Sequence, residues 1–494
     1  MNLSGKRTRR SLFTDLLLPT VGGVLLAGCS SASPAAAPTS AGQSSQSAAA
    51  KPTPASASQG ATAPQAASQP ASAAAVTLIE SSWATDTYGL FREQERVDLF
   101  KKTYPDSKIT VNLRNSASSG YRQQILTQLA GGVGPDVFRL AWQDVFPFQE
   151  QGQIPVLDDK LKSLGKDDWL ASSDAKTAIF DSARYAGKLY ALPMGGDMSN
   201  VEVNKSVFKA GGAKDPPITY GDSNWSFADV LEISKSLTKR ASDGTPLQFG
   251  LFVTSEAGGS GNPFSIVETW GGKTLSDDWS KLLWADDPGP AAWQWVADAV
   301  WKDKVASSEG SSTSGSAFNY NNGNIAIYPH YVSQLSYHTQ DVKDKFDWDQ
   351  SPWPTEGSNP VKVMFWYSGW TMNAKGKNLD PAFQLLQFLA GPVGTIPGVE
   401  LGWELPLFTS LDSRYNASIA KLNKNIKPAI DGFEHRISRH YYHQPRWNEA
   451  YTKYIKPALD DIFANKQTAA DALKAITPKV NDLLMQGAKL MGTA

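Results

Sequence analysis

Acidic and aromatic side chains, rather than cysteines or histidines, carry the chemistry available to this sequence. It holds one cysteine, Cys29, and five histidines with no HxxxH, HxH or CxxC spacing, so neither an internal disulfide nor a transition-metal motif is legible. No G-x-S-x-G, H-E-x-x-H or phosphate-loop pattern occurs. No metal or cofactor is expected. The unusual feature is sixteen tryptophans, sixteen tyrosines and twenty phenylalanines in a chain of which only 19% is charged. Aromatic rings stack on apolar ring faces such as those of sugars, while their N–H and O–H groups find polar partners. Carboxylates beside them accept charge-assisted hydrogen bonds from hydroxyls. Two carboxylates flanking a glycosidic bond could also hydrolyse it, and spacing along a chain does not fix their separation in space. A secreted polysaccharide-active enzyme is therefore the alternative to a pure binding role.

The elements that would position such groups are α/β. Val76-Thr77-Leu78-Ile79 reads as a buried strand, and Leu90, Val97 and Phe100 share one helical face before Tyr104-Pro105 ends it. Ile109, Val111 and Leu113 alternate as a second strand. Tyr121, Ile125, Leu126 and Leu129 then recur at helical spacing, Gly131-Gly132 terminates that helix, and Asp136-Val137-Phe138 begins a third strand. In parallel units of this kind ligands sit beyond the carboxyl ends of the strands. That places Ser81, Ser82 and Trp83, and again Trp142, Gln143 and Asp144, at the mouth of a site. Asp136, beside Pro135, reads as structural. A second α/β pattern follows, with a strand over Phe249–Val253 and a helix from Ala291 to Trp301 whose Trp293, Trp295 and Trp301 are expected in the core. At the C-terminus Thr468 and Asp471 form a capping-box pattern, and Pro478 is expected to kink or divide the helix that follows. A chain of 494 residues exceeds one compact core, so two α/β lobes are expected. Forty-seven basic against 48 acidic residues, a net charge of -1, disfavours nucleic acid as a partner.

The first seventy-five residues have a different character. Lys6, Arg7, Arg9 and Arg10 precede an apolar stretch from Leu12 to Gly28 that Asp15 and Pro19 interrupt, which fits an export signal over 1–28 better than a spanning helix. Leu26-Ala27-Gly28-Cys29 resembles the lipobox of bacterial lipoproteins, implying cleavage before Cys29 and lipid attachment to its thiol. Thr8-Arg9-Arg10-Ser11-Leu12-Phe13 resembles a twin-arginine motif as well. Residues 29–75 are almost wholly Ala, Ser, Pro, Gln, Thr and Gly, with Lys51 the sole charge. Such a segment buries too little apolar area to fold and would act as a tether spanning roughly 35–40 Å.

Several segments in order resemble the family 1 extracellular solute-binding proteins of bacterial ABC importers. They are Ala130-Gly131-Gly132 with Pro135-Asp136-Val137, Leu157-Asp158-Asp159, Tyr185-Ala186-Gly187-Lys188-Leu189-Tyr190-Ala191-Leu192-Pro193, and Val203-Asn204-Lys205 through Gly211. Further matches are Trp225 to Leu231, Asn322-Gly323-Asn324-Ile325-Ala326-Ile327, Pro352-Trp353-Pro354 and Phe383 to Leu389, so the resemblance covers about Val76 to Leu484. It implies two α/β lobes of the periplasmic-binding-protein type with the ligand cleft at their hinge, one from 76–193 and 371–411, the other from 199–366 and 412–494. It implies a monomer that closes on a small molecule and delivers it to ABC permease subunits, outside the cytoplasm and with no catalytic group. Asp197, in Met194-Gly195-Gly196-Asp197, falls where the family's sugar binders carry a carboxylate. Trp83, Trp142, Asp144, Trp270, Tyr331, Trp366 and Trp370 fall at or near its ligand-contacting positions. With no Arg/Lys cluster foreseen at the mouth, the expected ligand is a neutral sugar or oligosaccharide, with a solute such as a glycerol phosphate as the alternative.

Overall fold

A computed structural model describes residues 75–494, apart from 166–167, 255–262, 308–317 and 438–440. The export signal, Cys29 and all but the last residue of the tether lie outside the described residues. Among those described, no helix is long and apolar enough to cross a membrane.

Among the described residues nine strands in chain order build one curled sheet: β1 (Val76–Ser81), β2 (Ile109–Leu113), β3 (Val137–Ala141), β4 (Leu192–Val203), β5 (Lys239–Arg240), β6 (Pro246–Leu251), β7 (Ile325–Tyr331), β8 (Asp349–Ser351) and β9 (Phe365–Met372). Their order is β2-β1-β3-β9-β4-β7-β6-β5, with β8 also on β4. β1 runs parallel to β2 and β3, as the sequence pattern predicts. Two strands join the halves. The twelve residues of β4 pair with β9 from Leu192 to Met198 and with β7 from Ser199 to Val203. β9 in turn pairs antiparallel with β3 through Met372 to Ser368. A parallel β1-β2-β3 region on one side and the β6–β7 region on the other are thus continuous through β4 and β9, and this is the two-lobed α/β architecture of periplasmic binding proteins.

Local chemistry explains the entry into each element. Asp136 Oδ2 accepts a hydrogen bond from the Ile79 N–H at 2.9 Å, tying β3 to β1 in the structural role read from its place beside Pro135. Ser226 and Asp229 form a complete capping box on the helix Phe227–Leu237. Thr468 caps the helix Ala469–Met491 by accepting from the Asp471 N–H.

Four expectations shift. Pro478 does not divide the last helix, which runs unbroken from Ala469 to Met491. There the Thr477 hydroxyl donates to Leu473 O at 2.7 Å, beside the carbonyl that the missing proline N–H leaves free. Leu90 is 45% exposed, because the helix Thr87–Thr103 buries a face centred on Arg92, Glu93, Arg96, Val97 and Phe100 instead of a purely apolar one. Trp301 is 43% exposed and donates its indole N–H to Phe463 O, so only its body packs, whereas Trp293 is core. The strand expected at Phe249–Val253 begins and ends earlier, as β6, since its register is set by pairing with β7 at Phe249 and Leu251.

Candidate functional site

A cavity of about 390 Å³ opens beyond the carboxyl ends of β1 and β3 and is closed on its other side by β4, β7 and β9. Trp83, Trp142, Asp197, Tyr331 and Trp366 all line it. The sequence reading thus brings five of its eight candidates together. Trp83 follows β1, and its ring meets Tyr121 edge-on at 5.4 Å, while the Tyr121 hydroxyl donates to Ser81 O at 2.8 Å and fixes the strand end. Trp142 opens the short turn after β3 and packs edge-on against Tyr442 at 4.6 Å and Tyr367 at 5.8 Å. Tyr331, the last residue of β7, stands edge-on to Trp366 of β9 at 4.3 Å. Two aromatic walls therefore arise from strands of opposite halves of the sheet.

Asp197 sits on β4 opposite Trp366. Its Oδ1 accepts from its neighbour Met198 N–H at 2.9 Å and from the Ser333 N–H at 3.0 Å, in the turn after β7. Burial pushes its carboxyl up to about 7, against the opposing pull of Ser333, Met198 and the Trp366 side chain. The glycines before it permit close approach: a Cβ on Gly196 would fall 2.7 Å from the Phe365 ring, and one on Gly195 would collide with Glu404. Through them Leu405 bridges to Gly196 of β4, with Leu405 N–H donating to Gly196 O at 2.9 Å.

Three candidates stand elsewhere. Asp144 is buried behind the wall and pairs with Arg122 Nε at 3.0 Å; burial, partly offset by that guanidinium, raises it to about 6. Trp270 follows the helix Pro263–Thr269, is absent from the cavity lining and packs edge-on against Phe227 at 5.9 Å. Trp370 lies on the same pleat face of β9 as Trp366, four residues away, but further along the strand, where it pairs with Leu192 and Arg139 and is fully buried, with the Arg96 guanidinium 5.7 Å from its ring.

The cavity also contains residues that sequence reasoning passed over. Trp403 and Tyr337 stack nearly parallel at 4.7 Å, and both line it together with Glu404, Arg92 and Arg139. The expectation of a mouth without an Arg/Lys cluster therefore fails, since Arg92 and Arg139 both line the cavity. The helix Thr87–Thr103 carries Arg92, Glu93 and Arg96 inward, and Glu404 meets them from the far end of the chain. Arg92 pairs with Glu93 at 2.7 Å and Glu404 at 3.2 Å, and Arg96 pairs with Glu93 at 3.0 Å and Glu404 at 2.9 Å. Burial alone would raise Glu93, but the Arg96 and Arg92 charges outweigh it and hold it down to about 2. Alternating charges at 92, 93 and 96 are a faint sequence signal, because such a pattern usually marks a solvated helix face.

The sequence pattern of the bacterial extracellular solute-binding proteins matches residues 82–396, more than half of the chain. The chain belongs to that family. This solute-binding protein captures a small molecule and does not transform it, which removes the enzyme alternative. No curated protein matches it by sequence. Its fold is similar to that of an ABC substrate-binding protein from Listeria monocytogenes in complex with cycloalternan, at 20% identity and a TM-score of 0.69 over 82% of this chain and 98% of that one. The GacH receptor of Streptomyces glaucescens, solved unliganded and with acarbose, is similar at 18% identity and a TM-score of 0.65, covering 83% and 98%. UgpB of Mycobacterium tuberculosis in complex with glycerophosphocholine is similar at 17% identity and a TM-score of 0.68, again covering 83% and 98%.

Proposed function

We propose that this solute-binding protein captures a carbohydrate, a sugar or oligosaccharide, between its lobes and delivers it to the permease subunits of an ABC importer. The observation that carries the reading is the aromatic cavity itself. Trp83 and Trp142 stand on one side, Tyr331 and Trp366 on the other, and Asp197 lies between strands that belong to both. Rings so placed stack on pyranose faces, and the carboxylate accepts hydroxyl hydrogen bonds. The lobes are 76–193 with 371–411 and 199–366 with 412–494, so β4 and β9 cross between them where the chain needs a hinge. Closure is favoured by ligand because only the closed form lets both aromatic walls touch it. The structures with cycloalternan and acarbose support a saccharide, while the one with glycerophosphocholine keeps a phosphodiester in the test set. Thermal shift over mono- and oligosaccharides and glycerophosphodiesters should raise the melting temperature for at least one saccharide. A rise with a glycerophosphodiester alone would end the carbohydrate reading.

The N-terminus completes the proposal. Cleavage before Cys29 and lipid attachment to it would hold a monomeric receptor at the outer face of the membrane through a tether of 46 residues, Ser30 to Ala75. Mass spectrometry of the mature protein should show Cys29 as the first residue, carrying diacylglycerol. An unmodified Cys29, or cleavage elsewhere, would remove the anchor and leave the receptor intact.

A further inference from the structure

Three arginines approach the cavity floor, and they are not equivalent. Arg92 and Arg96 each pair with Glu93 and Glu404. Arg139, on β3, lines the cavity and forms no ion pair among the described residues. Its Nε and Nη2 donate to the Ser368 hydroxyl at 3.0 and 2.7 Å, which fixes the plane of the guanidinium. Its carbon lies 3.8 Å from the centroid of the Trp83 ring, a cation–π contact that steadies both groups. Among the described residues Nη1 has no hydrogen bond. Burial, reinforced by repulsion from Arg92, depresses the guanidinium to about 9, against the partial attraction of Glu404 and Glu93.

We propose that Arg139 is a specificity-determining residue of the cleft and that the ligand is an acidic saccharide, with a carboxylate on the sugar paired to this guanidinium. The inference rests on the carbohydrate reading and narrows it. Glu93 and Glu404 act on Arg139 but are already shared by Arg92 and Arg96, two carboxylates against three guanidiniums; a neutral hydroxyl could accept from Nη1 without redressing that balance, whereas a carboxylate supplies both acceptor and charge. A single guanidinium balances one negative charge, which favours a uronate over a phosphomonoester dianion. The fork beside an aromatic ring also suits a pyranose with an exocyclic carboxylate, since stacking on Trp83 carries that substituent towards Arg139.

Calorimetric titration of the full chain with matched pairs tests this. Gluco-, galacto- and manno-configured di- and trisaccharides would each be compared with the corresponding uronates, with the sugar 1-phosphates as a further arm. At least one uronate should bind about tenfold or more tightly than its neutral counterpart, with an affinity that falls as salt is raised. In R139Q the ratio should collapse to below about threefold. In R139K it should be intermediate, because lysine keeps the charge but not the fork. If R139Q does not fold, R139K carries the comparison. Neutral sugars binding as tightly as uronates in every pair would overturn the inference while leaving the carbohydrate function standing, as would a ratio unchanged in both variants. A sugar phosphate bound more tightly than every uronate would overturn the monoanion assignment. Binding of no saccharide of either charge would overturn the carbohydrate reading, and this inference with it.

Discussion

Replacing Glu404 by alanine is expected to destabilise the protein by about 3–5 kcal/mol, a drop readable as a lower urea midpoint with little change in slope. Glu404 takes two guanidiniums at once: Arg92 Nη1 donates to it at 3.2 Å, and Arg96 Nη2 donates to both its oxygens at 2.9 and 3.1 Å. Arg96 is fully buried and, among the described residues, its one other ion-pair partner is Glu93, so truncation leaves Arg92 and Arg96 sharing that carboxylate, with Arg96 out of reach of water. The pairing also crosses some 300 positions of sequence, holding the helix Thr87–Thr103 against the segment that bridges to β4 at Gly196. Glu404→Gln keeps the shape and one acceptor, and it should fall between alanine and the parent. Replacing Arg92, Glu93, Arg96 and Glu404 together by apolar residues of similar volume should recover much of the loss, since removing a whole buried ionic cluster is often neutral. An alanine variant within about 1 kcal/mol of the parent would mean that water reaches the cluster.

What could be read without coordinates divides along a physical line. Periodicity is local, so β1, β2, β3 and the helices between them were legible, and the rule that ligands lie beyond parallel strand ends led to Trp83 and Trp142. The pairing that makes the site one place is not local. β4 meets β9 across more than 160 residues, and only that register puts Asp197 opposite Trp366 and seats Trp370 between Leu192 and Arg139 in the core. Four aromatics within Phe365–Trp370 therefore signalled a site without showing which of them face it. Arg139 was hidden for a related reason. In a strand reading Val-Phe-Arg-Leu-Ala, an arginine suggests an edge or an exposed position. Here it is central, because β9 adds to β3 from the far end of the chain and supplies Ser368. Trp403 and Glu404 reach the cavity beside the two glycines of β4, whose missing side chains leave room for a segment some two hundred residues away in sequence.

Asp197→Ala should weaken ligand binding by about ten- to a hundredfold, the range for loss of a charge-assisted hydrogen bond, while the unliganded fold remains. The carboxylate has a second duty that complicates a simple deletion. Its Oδ1 holds the Ser333 N–H, so alanine also frees the turn that follows Tyr331. Asp197→Asn separates the two roles, because an amide oxygen still accepts from Ser333 but carries no charge. The pH dependence then identifies the ionised form as the one that binds. Burial lifts the Asp197 carboxyl to about 7 in the folded protein, far above the usual aspartate value near 4. The folded state thus holds this proton more tightly than the unfolded chain does. The resulting contribution to stability is full below about pH 4 and is lost as pH rises towards 7, so ionising Asp197 lowers the stability of the unliganded protein. Ligand binding runs the other way. If hydroxyls donate to the carboxylate, affinity is constant above about pH 8 and falls by up to tenfold per unit as pH drops below about 7. Titrations of ligand from pH 5.5 to 8.5 should therefore show rising affinity in the parent and a flat profile in Asp197→Asn. The same slope in both would assign the dependence to another group and remove Asp197 from contact with the ligand.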